Sequence, residues 1–72
     1  MEFTKKYNEY NNLGLQLFNS GKNEKNINKI ESAIQYFEKA IASSEIEGIS
    51  NFTIAENNLK LAKIELDKLK SY

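Results

Sequence analysis

The sequence predicts an all-α fold, a three-helix antiparallel bundle, and three observations predict it. Apolar residues recur three and four apart in three successive stretches, none of those stretches alternates as a strand would, and glycine and asparagine mark the breaks between them. The central stretch, Ile30 to Ser44, reads IESAIQYFEKAIASS. It places Ile30, Ala33, Ile34, Phe37, Ala40 and Ile41 on one face, as a helix packed between two neighbours requires. Seventy-two residues make a single domain, 1–72, whose margin of stability is about 4–10 kcal/mol. The chain has no cysteine and no histidine, so disulfides and the commonest metal ligands are excluded. Apolar packing or self-association must hold it together.

The first helix is expected over about 3–20. Phe3, Tyr7, Tyr10, Leu13, Leu17 and Phe18 follow helical spacing, with Gly14 on the same stripe and Leu15 pointing away from it, exposed. A helix-interior glycine costs roughly 1 kcal/mol relative to alanine, so Gly14 on a buried stripe points to a second helix crossing closely there. Asn19-Ser20-Gly21 supplies a stop, because glycine just past the last turn takes the left-handed conformation that closes the final carbonyls. Lys22–Asn28, KNEKNIN, reads as a polar loop. Asn28 and Glu31 stand in capping-box spacing, which puts the second helix at about 28–46 with Gly48 as its terminator. Ile46 and Ile49 then fold back over the end of the bundle.

Ser50 and Asn51 offer a cap for a third helix over about 51–70, with Thr53-x-x-Glu56 as a competing start. Phe52, Ala55, Leu59, Ala62, Leu66 and Leu69 form its core stripe, and Glu56, Lys60, Lys63, Asp67 and Lys70 its solvated face, with charges spaced for pairs along the helix. A second apolar set, Ile54, Leu61 and Ile64, lies off that stripe. It reads either as part of a wide arc packed against both other helices or as an exposed strip for a partner.

Tyr10-x-x-Leu13-Gly14-x-x-Leu17, Gly21-Lys22 and Ala33-x-x-x-Phe37-x-x-Ala40 together resemble a tetratricopeptide repeat hairpin, here followed by a C-terminal capping helix. The stretch from Gly14 to Ala33 is about seven residues longer than that family's spacing, and KNEKNIN would absorb the excess as an enlarged turn. The run from Ala33 to Ile41 is equally similar to the second helix of the MIT domain, a three-helix module that binds peptides between its helices. Both resemblances imply peptide or protein binding by helix surfaces without catalysis. The repeat's usual peptide-contacting positions point to Asn8, Asn11 and Asn12 on the first helix.

Ten lysines balance ten acids, so no net field favours nucleic acid or an acidic membrane surface. Arginine is absent, which leaves a nucleic-acid-binding role as the remote alternative. The amino-terminal MEFTKKYNEYNN lacks the apolar run of a signal peptide or membrane span, and the protein reads as cytoplasmic. General acid–base catalysis would fall to carboxylates, yet Glu31, Glu38 and Glu45 lie opposite the apolar stripe of their helix. No phosphate loop, nucleophile motif or metal-ligand cluster is present in the sequence. No catalytic, cofactor-binding or metal-binding residue is therefore assigned.

The expected function is a non-catalytic adaptor or inhibitor that takes a partner helix or peptide along the third helix. Ile54, Leu61 and Ile64 are its expected anchors, and Lys60, Glu65 and Lys68 its charged rim, with Tyr36, Asn8 and Asn12 as further candidate contacts. Self-assembly as a homodimer is the alternative, because one small hairpin has difficulty burying both its faces.

Overall fold

The computed structural model describes residues 3–46 and 53–71, with side chains over 6–45 and 53–71. Three helices account for nearly all of them: α1 over Phe3–Glu24, α2 over Ile27–Ile46 and α3 over Thr53–Lys70. They form an all-α three-helix bundle. The Asn11–Asn58 hydrogen bond joins the early parts of α1 and α3 at 3.1 Å, while Lys70 near the end of α3 reaches Glu31 near the start of α2 at 3.7 Å. The helices therefore run up, down and up. α2 is the middle element, in broad contact with both neighbours, whereas α1 and α3 touch over a short stretch.

The α1–α2 connection is far tighter than a polar loop over Lys22–Asn28. α1 continues through Gly21 to Glu24, and Lys25 alone takes the left-handed conformation, with φ of 54°. The Asn26 N–H donates to the Gly21 carbonyl at 2.8 Å and the Lys25 N–H to the Lys22 carbonyl at 3.4 Å, which closes the last turn of α1. The Asn26 side chain then accepts from the Lys29 N–H at 3.2 Å, so one residue ends one helix and caps the next. Asn26, rather than Asn28, is the cap of α2. The seven-residue excess over the repeat spacing thus lengthens the helices and not the turn.

Gly21 has a packing role instead of a terminating one. It is buried, and a Cβ there would lie 2.9 Å from Ile30 Cδ1 and 3.0 Å from Lys29 Cβ. Gly14 does the same one turn-pair earlier: a Cβ would meet Phe37 Cε1 at 2.5 Å and Cδ1 at 2.7 Å. The close crossing expected at Gly14 is present, and Phe37 is the residue that fills it. Tyr7, Asn11, Gly14 and Gly21 are buried on α1, a stripe rotated slightly from the expected one. Leu13 is exposed, and Leu15, expected in solvent, is half-buried against Ala33, Phe37 and Ala62.

Ile30, Ala33, Phe37, Ala40 and Ser44 are buried on α2, with Ile34 and Ile41 half-buried beside them. The Ser44 hydroxyl is satisfied locally, donating to the Ile41 carbonyl at 2.6 Å. α3 contributes Ala55 and Ala62 to the core and half-buries Leu59, Leu66 and Leu69, as its spacing predicts. The expected roles of Gly48, Ile49, Ser50, Asn51 and Phe52 lie outside the described residues, as does the side chain of Ile46. Among the described residues α3 begins at Thr53.

Candidate functional site

α3 is 18 residues long, or about 27 Å of helix, and only one side of it rests on the bundle. The alanines at positions 55 and 62 face inward, so the isoleucines and leucine displaced by the helical repeat face out. Ile54 is 61% exposed, Leu61 53% and Ile64 46%. Single exposed apolar residues are ordinary, but these three lie on one side of one helix at spacings of seven and three. α1 leaves them uncovered, and its contact with α3 is short.

Of the expected rim residues, Lys60 and Glu65 stand on opposite flanks of that strip, and Lys68 continues its line. Lys60 and Lys68 are exposed, and Glu65 is half-buried on the flank that also carries Asn58. Lys60 lies on the opposite flank and shares an open groove of about 330 Å³ between α2 and α3 with Ile41, Glu56, Leu59 and Lys63. The charges of the solvated face of α3 are exposed as expected. Among the described residues they do not pair along the helix, and Lys70 instead pairs with Glu31 of α2.

The remaining candidate residues are not part of this surface. Tyr36 is half-buried between α1 and α2, its ring 6.3 Å from that of Tyr10, and the Lys39 ammonium lies over both rings at 5.3 and 6.0 Å. Its spare face is occupied by its own neighbours, an arrangement that ties α1 to α2. Asn8 and Asn12 are exposed on α1. Asn11 differs from them: it is buried, and its carbonyl oxygen accepts from the Asn58 amide, so it is used inside the fold. Sequence spacing contained the signal for this pair, since Asn11 falls four residues after Tyr7 and three before Gly14, on the buried stripe.

Among the described residues Glu24 is the one group whose acidity is clearly perturbed. The Lys29 ammonium hydrogen-bonds both its carboxylate oxygens at 3.0 Å and the Ser20 hydroxyl donates to it at 2.8 Å, which together hold its carboxyl below its ordinary value. It staples the α1–α2 turn and is exposed to solvent. Among the described residues no group of three or more acidic, histidine or cysteine side chains converges to hold a metal, and no helix is long and apolar enough to cross a membrane. Comparison with protein families, with curated proteins and with solved structures finds no match for this chain.

Proposed function

We propose that this protein is a non-catalytic protein-interaction module that docks a partner helix on the outer face of α3. One observation carries the reading: Ile54, Leu61 and Ile64 are all about half or more exposed on one side of a helix whose opposite side packs on the core. An aliphatic strip flanked by charged residues suits a helix laid alongside it, with the apolar residues as anchors and Lys60, Glu65 and Lys68 fixing orientation. The resemblance to tetratricopeptide and MIT modules supports the same class of work. So does the absence from the sequence of histidine and cysteine, which leaves catalysis with poor materials.

The test is the double variant Ile54→Lys with Leu61→Lys. Both residues are exposed, so helical circular dichroism should match the wild type, while capture of partner proteins by the immobilised chain should fall at least tenfold. An intact fold with unchanged capture would remove α3 as the docking face.

A further inference from the structure

We infer that the helix docked on α3 is the α3 of a second copy of this chain, running parallel to it in a twofold dimer. The inference rests on the interaction surface proposed above and names its occupant. Along the exposed side, Ile54, Asn57, Leu61, Ile64 and Lys68 follow one another at intervals of three, four, three and four, the repeat by which two helices interlock side by side. Asn57 is exposed like its apolar neighbours. Lys68 places like charges at the next position, which limits the seam to about two heptads.

One feature selects a parallel pair over an antiparallel one. Lys60 lies on one flank of the seam and Glu65, five residues on, lies on the other. In a parallel pair opposite flanks face each other with that five-residue offset, so each Lys60 meets Glu65 of the other copy. In an antiparallel pair centred on the same strip like flanks meet, and Lys60 faces Lys60.

The patch is small. A single face of an 18-residue helix buries less than the roughly 1,000 Å² of a stable interface, so association is weak. Sedimentation equilibrium over a range from micromolar to millimolar chain concentration reads it directly. The wild type should move from monomer to dimer across that range. Lys60→Glu and Glu65→Lys should each weaken self-association at least fivefold, and the chain carrying both changes should recover it.

Mixing the two single variants gives the sharpest readout. A chain with glutamate at both positions and a chain with lysine at both should form a heterodimer that neither forms with itself. Circular dichroism of every variant checks the fold, and Glu65→Gln, which keeps the size of a half-buried side chain, repeats the test without charge reversal.

A wild type that stays monomeric to 1 mM overturns self-pairing. If the Ile54→Lys, Leu61→Lys chain then still loses captured proteins, the docking face stands and its occupant is a different protein. A dimer that persists unweakened in that double variant overturns both readings. A dimer weakened by it but indifferent to the charge swaps overturns the parallel arrangement.

Discussion

The two helix junctions of this small bundle are built differently. α1 meets α2 across glycines: Phe37 seats its ring on Gly14 and Ile30 its side chain on Gly21, each at a distance that leaves no space for a Cβ. α2 meets α3 across alanines, with Ala40 near Ala55 and Ala33 near Ala62. Glycine costs helix propensity but lets a large side chain be enclosed completely, and Phe37 and Ile30 are fully buried as a result. Alanine costs nothing locally but encloses little. The larger residues of α3 that touch the core are only half-buried, and three others face solvent. The α1–α2 junction is therefore the more tightly packed of the two, and α3 is the element with surface to spare.

The largest expected effect lies at the centre of the hairpin junction. Phe37→Ala should cost about 3–5 kcal/mol, comparable with the whole margin of about 4–10 kcal/mol for a chain of this length. Helical circular dichroism at 25 °C and a urea titration should find the variant largely unfolded or close to it. At the other junction Ala62→Gly should cost only about 1 kcal/mol, mostly helix propensity. Equal losses at the two positions would erase the distinction between the junctions.

Gly14→Ala comes next and opposes two effects of known sign. Helix propensity alone favours the change by about 1 kcal/mol. Against it, the new methyl would lie within 3.0 Å of three atoms of a ring that is itself fully buried. Overpacking of that kind costs about 1–3 kcal/mol, and we expect a net loss. Adding Phe37→Leu, which vacates ring volume, should make the Gly14→Ala change less costly than it is alone, and a double-mutant cycle measures the coupling. A stabilised Gly14→Ala chain would show that the close approach is not a constraint.

Much of this architecture was legible in the sequence. Helical spacing alone located three helices, and a glycine on an apolar stripe identified the closest crossing. The second apolar set on α3 was legible as a set, but the sequence left it open between a packed arc and an exposed strip, and its exposure is a finding of the structure. What misled was the reading of glycine and asparagine by composition. Gly21 looked like a stop, yet a stop requires only one left-handed residue, and Lys25 supplies it. KNEKNIN looked like a loop, yet its polar side chains lie on the outside of two helix ends joined by Lys25 and Asn26. The α1 stripe was misplaced near Leu13 and Leu15 for a related reason. Asn11 lies on the stripe of Tyr7 and Gly14, but nothing in the sequence marks Asn58, far along the chain, as the hydrogen-bond partner that lets it be buried there.

The turn provides the next prediction. Lys25 holds φ of 54°, where a side chain costs about 1 kcal/mol or more and glycine does not. Lys25→Gly gains from relief of that strain and loses some of the gain to the flexibility of glycine in the unfolded chain. We expect a net rise of about 0.5 kcal/mol, read from the urea midpoint. Lys25→Val should shift the midpoint the other way. A lowered midpoint for Lys25→Gly would mean that the lysine side chain itself holds the hairpin.

The smallest effect concerns the ion pair that bridges the same turn, and its signature is pH dependence more than size. Glu24 has its folded-state pKa lowered, first by the hydrogen bond from Lys29, then by that from Ser20, then by the lysine charge. A carboxyl whose pKa is depressed on folding contributes stability above its unfolded value, 4.5 for this group. That contribution is lost as pH falls through the lower folded value. Lys29→Met should therefore melt below the wild type near neutral pH, and the gap should close as both chains become protonated at Glu24. Added salt should narrow the gap at neutral pH, because both partners are accessible to solvent. A gap that is constant from neutral to strongly acidic solution would assign the effect of Lys29 to its aliphatic stem, packed beside Gly21, and not to its charge.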